Sequence, residues 1–345
     1  MDIRSLILKK LAKKGEVRAK EIVAETKFSR AYINRFFKEL QDEGRLLLVG
    51  RANQAFYVSA RKARVLFAKQ RILCVRRLLH NKNLSEDVVL DEIKQDSGIF
   101  LELPKHIAQI LDYSFTEMLN NAIDHSRSKT IGVVIKRTAS DIRFDITDRG
   151  VGIFNNIMRK KKLKNELEAI QDLTKGKQTT APEAHSGEGI FFTSRVADIL
   201  TFRSSVKKLI FHTMLQDIFV RDIKKTKGTA VTCVISLTSK KRLSRIFKKY
   251  SGKSFEFGKT KVRIKLFMLD TEYLSRSQAR RVVSGLEEFK EVVLDFHGVD
   301  FVGQAFADEV FRVWQANHRS TKIEYEHANK NIRFMIQRAV FGGTP

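Results

Sequence analysis

The stretch from Ile142 to Gly152 restricts the fold more than any other part of the chain. Ile142, Phe144 and Ile146 alternate with Arg143, Asp145 and Thr147, the pattern of a strand with one covered face. That strand delivers Asp148, and Gly150 and Gly152 follow it at spacings of two and four. An Asp beside two glycines presents one acceptor to an exocyclic amine, and the glycines let a flat base approach the backbone. Ile131-Gly132-Val133-Val134-Ile135 reads as the adjacent strand.

Two further segments add to this. Phe115 to Ser126 reads as a helix with Phe115, Met118, Leu119 and Ala122 on one face. Glu117, Asn121 and Asp124 fall along another face, because residues three and four apart are neighbours on a helix. Two oxygen-bearing side chains one turn apart can share a hard cation and a water, and magnesium prefers that chemistry beside phosphates. Ser186-Gly187-Glu188-Gly189-Ile190 then opens a helix expected over Thr193 to Ile199. Free N–H groups and the dipole at such a start favour phosphate. Lys227-Gly228-Thr229 leads into a strand ending near Leu237. Each piece alone is commonplace, but their order and spacing together are specific.

Together these segments resemble the GHKL ATPase superfamily of DNA gyrase, the large heat-shock chaperone, histidine kinases and MutL. The likeness covers residues 105–240. It implies a Bergerat-type α/β sandwich with ATP between a helical layer and a mixed sheet. It implies that Asn121 holds the magnesium ion bridging the phosphates and that Asp148 accepts from the adenine amine. Asp124 joins the nucleotide-facing set on the same helix. Gly150 and Gly152 then line the base, Gly187 and Gly189 lie under the phosphates, and Thr229 supports the base through water. Glu117 stands where hydrolysing members activate water, which needs a carboxylate within reach of the attacking oxygen. Residues 153–186 correspond to the lid over ATP, from which Lys175 and Lys177 are placed to reach the γ-phosphate. His80 is followed by Asn81, not by an acid, so no phosphoacceptor module is recognised and autophosphorylation on His is not expected.

Residues 1–60 read as three helices and a hairpin. Gly15 stops the first helix and Ser29 caps the third, whose apolar face carries Tyr32, Ile33, Phe36, Phe37 and Leu40. Leu46 to Val49 and Ala55 to Val58 form the hairpin. This resembles a winged helix-turn-helix, in which the third helix enters the major groove and the wing touches backbone. Arg30, Asn34, Arg35 and Lys38, with Arg51 on the wing, are the expected DNA contacts.

Residues 61–100 are expected to be a basic, mostly helical linker and 241–262 a basic connector. In 263–345, strands are expected at Val262 to Leu266, Val292 to Phe296 and Ile323 to His327. Helices are expected at Ser275 to Phe289, Phe306 to Trp314 and Asn331 to Arg338. The string Leu294-Asp295-Phe296, Gly298-Val299-Asp300 and Ala305-Phe306-Ala307-Asp308-Glu309 resembles an uncharacterised STAS-like family. Gln304 occupies the position where phosphorylated STAS relatives carry Ser, so phosphoryl acceptance there is not expected.

Lys and Arg number 65 against 39 Asp and Glu, a formal charge of +26. Such an excess favours polyanionic partners. Cys74 and Cys233 show neither a disulfide framework nor a zinc spacing. No signal peptide is recognised at Met1 to Ser5 and no apolar run reaches membrane-span length, so a cytoplasmic location is expected.

The expected architecture is a multidomain α/β (α+β) chain. A winged helix (1–60) and linker (61–100) precede an ATP-binding domain (101–240); a connector (241–262) leads to a STAS-like domain (263–345). The expected function is an ATP- and Mg²⁺-dependent, DNA-binding regulator of transcription. The STAS-like domain supplies a protein contact, and a homodimer is compatible. Two alternatives are a Ser/Thr protein kinase resembling anti-sigma factor kinases and a DNA-acting ATPase that dimerises on ATP.

Overall fold

A computed structural model of the chain describes residues 2–50, 55–61, 68–175, 189–250, 259–266, 273–287 and 289–341. Among these residues there are three sheets and three clusters of buried apolar side chains, so the chain is a mixed α/β protein of several units.

The first unit contains α1 (Ile3–Lys14), β1 (Glu16–Val17), α2 (Ala19–Thr26), α3 (Arg30–Asp42), β2 (Leu46–Val49) and β3 (Phe56–Ser59). Its antiparallel sheet has the order β1-β3-β2. Asp2 caps α1 by accepting from the Arg4 N–H at 3.0 Å, and Gly15 ends it at φ 78°. Ser29 caps α3 through the Tyr32 N–H at 3.2 Å. Ile33, Phe37 and Leu40 of α3 meet Ile3, Ile7 and Ile22 in one core. The short strand β1 was not evident in the sequence, because two residues cannot show a period.

The second unit is built on a five-stranded sheet of order β4-β5-β6-β8-β7, antiparallel throughout. It comprises β4 (Cys74–His80), α4 (Glu86–Asp96), α5 (Lys105–His125), β5 (Thr130–Arg137), β6 (Asp141–Asp148), α6 (Ile153–Lys161), α7 (Glu166–Thr174), α8 (Gly189–Val196), β7 (Ile199–His212) and β8 (Asp217–Ser236). Ile131, Val133, Ile135, Ile142, Phe144 and Ile146 point to one face, where α5 covers them with Phe115, Met118 and Leu119. The rings of Phe115 and Phe144 meet edge-on, 5.5 Å apart. Arg76, Lys136, Arg143 and Thr147 stay exposed on the other face, which accounts for the clean alternation of β6.

Two expectations about this unit are corrected. Residues 61–100 are not simply a helical linker, because Cys74–His80 is the edge strand of the central sheet. Only Val75 of that strand is buried, so its basic residues hide the period. The helix expected to reach Ile199 ends at Val196, and Ile199 begins the long strand β7.

Beyond β8, the expected connector contains a helix, α9 (Leu243–Tyr250). Its Phe247 meets Tyr113 and Phe192, with ring centroids 5.3 and 4.5 Å apart, and Tyr250 meets Phe191 at 5.1 Å. The third unit follows, with β9 (Lys259–Lys265), α10 (Arg276–Val283), β10 (Phe289–Asp295), α11 (Gln304–Asp308), β11 (Lys322–Glu326) and α12 (Lys330–Phe341). A π-helical turn, Glu309–Trp314, extends α11. The parallel sheet β11-β10-β9 packs on these helices through Val292, Leu294, Phe306, Val310 and Ile332. Among the described residues, contacts between the second and third units include the following. Lys265 Nζ binds Asp217 Oδ1 at 2.9 Å, and Lys175 at the end of α7 reaches the end of α10.

Candidate functional site

The end of α5 and the loop after β6 are tied together. The Val151 N–H donates to Ser126 O at 2.8 Å, and the Arg149 N–H donates to Ser128 Oγ at 3.2 Å. The loop lies so close that a Cβ on Gly150 would stand 1.7 Å from Ser126 O. Only glycine can occupy that position without moving the end of the helix.

Asp148 is 4 % exposed and accepts from the Gly150 N–H through Oδ1 at 2.8 Å. Burial pushes its carboxyl upward, while bonds from Gly150 and Thr229 act in the opposite direction. Gly228 adopts φ 77°, and a Cβ there would meet Asp148 O at 2.2 Å and Oδ1 at 2.7 Å. Gly152 adopts φ 80° against Ser204 Oγ, which itself donates to Gly228 O at 2.9 Å. The Ile153 N–H donates to Thr229 Oγ1 at 2.9 Å and so joins the start of α6 to β8. Asp148, Gly150 and Gly152 and the sequence-distant Gly228 and Thr229 therefore form one connected floor.

A second group lies at the other end. Gly189, the first residue of α8, packs on Glu117: a Cβ there would stand 1.9 Å from Glu117 Oε2. Glu117 and Ser126 are nine residues apart on or just past α5, roughly 13 Å along a helix axis. Half-buried Asn121 lies between them and Asp124 is exposed. One helix thus links the Asp148 floor to the start of α8.

Lys175 is not brought into this group. It is 2 % exposed, and its Nζ donates to Ser284 O at 3.2 Å and to Arg281 O. The ammonium is thus committed to carbonyls of the third unit. Lys177, Gly187 and Arg51 lie outside the described residues. Among the expected DNA contacts, Arg30, Asn34, Arg35 and Lys38 are all exposed on α3. Tyr32, however, lies outside the core, and Phe36 only partly packs against it. Tyr32 is 40 % exposed and Phe36 is half-buried, and Arg35 stacks over both rings at 5.4 and 5.3 Å.

The sequence reading missed Gly228, Ser204 and Ser126. Gly228 was visible as a glycine beside Thr229, but its closeness to Asp148 was not. Ser126 acts through its carbonyl and Ser204 through one hydroxyl on an overlooked strand, so neither has a sequence signal.

Residues 278–333 match the family model described as a STAS-like domain of unknown function (DUF4325). The match contains the string from Leu294 to Glu309 and establishes a STAS-like domain at the C-terminal end. No curated protein matches the chain. Within the STAS-like unit, Gly303 caps α11 at the residue before Gln304, and a Cβ there would meet Leu274 O at 2.7 Å. Asp308 and Glu309 carry arginine partners: Arg312 Nη2 lies 2.7 Å from Asp308 Oδ2, and Arg280 Nε lies 2.7 Å from Glu309 Oε1. Among the described residues no helix is long and apolar enough to cross a membrane.

Proposed function

We propose that this chain is an ATP-binding regulator, built from a DNA-binding winged helix-turn-helix, a Bergerat-type nucleotide domain and a STAS-like domain that contacts a partner protein. The observation that carries the reading is the floor made by Asp148, Gly150, Gly152 and Gly228, joined through α5 to Glu117 on Gly189. The Asp148 carboxyl accepts from the Gly150 N–H and is also bonded by Thr229, so it is held in place as an acceptor for an exocyclic amine. The glycines let the loops pack directly on Ser126, Ser204 and the Asp148 backbone, which fixes where the carboxyl stands. Asn121 offers an amide oxygen for magnesium, with few protein ligands needed beside phosphates. In this reading ATP occupancy shifts the placement of the outer domains.

The test is calorimetric titration of the full chain with ATP, with and without Mg²⁺. Binding should tighten about tenfold with Mg²⁺, a change of roughly 1.4 kcal/mol. Asn121→Ala should bind ATP but lose that dependence. Absence of heat in the wild type would overturn the proposal. The placement of Glu117 against Gly189 also favours a second reading, an ATPase acting on DNA. Following phosphate release and protein labelling in one incubation, with and without DNA, separates binding, hydrolysis and kinase activity.

The DNA assignment rests on the exposed basic face of α3. Arg30→Ala combined with Lys38→Ala should reduce the slope of log affinity against log salt by about 2, close to one per phosphate contact. Fluorescence anisotropy over a salt series measures this, and an unchanged slope places DNA elsewhere.

A further inference from the structure

The STAS-like unit carries a group of side chains that the proposed function leaves unused. Asp295 ends β10 and Glu326 ends β11, and the two are direct partners across the parallel pair. His327 follows Glu326, and His297 lies two residues beyond Asp295. One nitrogen of His327 and one oxygen from each of Asp295 and Glu326 all lie within 4.8 Å of one another. The His297 and His327 rings stand perpendicular with centroids 5.6 Å apart. This is the carboxyl end of a parallel sheet, where open α/β sheets place their ligands.

We propose that Asp295, Glu326 and His327, completed by His297, form a site for a divalent transition-metal ion, with zinc as the best fit. Two imidazoles and two carboxylates are a donor set that zinc accepts in tetrahedral geometry. Zinc ligands stand roughly 3.4 Å from one another when each is 2.0–2.2 Å from the ion, so small rotations of exposed side chains close the group. The buried part is already fixed. Asp295 is 3 % exposed, and its Oδ1 accepts from the His297 N–H at 3.0 Å and contacts His327 Nδ1 at 2.8 Å. The movable parts are at the surface, since the His327 side chain is 51 % exposed.

A cation already occupies the position. Arg263 Nη2 lies 2.9 Å from Asp295 Oδ2, and its Nε contacts Glu326. Counting the imidazoles as neutral, two carboxylates face one guanidinium, which leaves the group one negative charge in excess. A simple structural ion pair does not require two histidines beside it. The 43 % exposed Arg263 can turn to solvent as the ion enters.

The test uses the full chain stripped with chelator, titrated with Zn²⁺ by calorimetry and with Co²⁺ by visible absorption. One equivalent should bind, and Co²⁺ should give the bands of a four-coordinate centre. His327→Ala and Glu326→Gln, both at accessible positions, should each weaken binding by more than the roughly 10–100-fold that loss of an outer-shell partner costs. Arg263→Gln should tighten binding, because it removes the competing cation. A merely structural Arg263 would give the opposite result or none. Absence of a bound equivalent, or binding unchanged in His327→Ala and Glu326→Gln, would overturn the proposal.

Discussion

Asp148→Asn should weaken ATP binding on the order of a hundredfold while leaving the fold intact. The expectation follows from how the two carboxylate oxygens are used. Oδ1 accepts from the Gly150 N–H and Thr229 also bonds the carboxyl, so a donor on the base has to share an already engaged acceptor. Asparagine has a single oxygen. If that oxygen keeps the Gly150 bond, the amide NH₂ meets an incoming amine donor against donor. If it turns to the amine, the half-buried Gly150 N–H faces another N–H. Either arrangement loses a charge-assisted bond, typically about 1.5–3 kcal/mol, and adds an unsatisfied group. At 1.4 kcal/mol per factor of ten, the sum falls near two decades. Calorimetry with a non-hydrolysable analogue measures the change, and circular dichroism checks that the variant is folded. A variant that binds like the parent would remove Asp148 from the site and the ATP assignment with it.

How far the sequence foretold this arrangement depended on the kind of signal. Ile142, Phe144 and Ile146 alternate because one face of β6 is covered by α5, and that period placed Asp148 at the end of the strand. The helix bearing Glu117 and Asn121 was equally legible, since α5 is long and strongly patterned. Side chains that act through backbone atoms left no trace. Ser126 contributes a carbonyl oxygen, and Gly228 contributes the absence of a side chain beside Asp148. Strand β4 was missed because an edge strand with only Val75 buried has no apolar row to count. The parallel strands of the STAS-like unit were found because burial on both faces makes short apolar runs such as Val292-Val293-Leu294. Lys175 misled most. A lysine in a glycine-bearing basic segment reads as a phosphate ligand, and only the tertiary fold places its amine on another unit.

That placement makes Lys175 a joint between the unit built on the five-stranded sheet and the STAS-like unit. Its Nζ meets Arg281 O and Ser284 O, two carbonyls at the end of α10, where a cation also suits the helix dipole. Asp172 lies 3.6 Å away and also binds Lys161, and Arg281 pairs with Glu168 at 2.9 Å. Lys175→Met keeps the length of the chain but leaves both carbonyls and Asp172 without this partner. Removing one member of a buried charged group typically costs about 3 kcal/mol or more, and here the loss should appear as detachment of α10 from α7. Hydrogen exchange of the amides in the last turn of α10 should speed up correspondingly. The pH dependence separates this from a simple packing defect. Burial lowers the Lys175 amine from its usual 10.5 to about 8, with Asp172 opposing and Lys161 adding to the shift. Between those values the unfolded chain holds a proton that the folded chain has released, so stability rises with pH across that window. The gain is fully present above 10.5, is lost as pH falls to 8, and amounts to on the order of 3 kcal/mol. The neutral amine keeps two N–H donors for the two carbonyls, so the joint survives deprotonation. Denaturant titrations from pH 7.5 to 10.5 should therefore show a rising stability in the wild type and a flatter profile in Lys175→Met. Equal slopes with unchanged protection of α10 would mean that the STAS-like unit is held by other contacts, and that Lys175 is not the joint through which nucleotide binding reaches it.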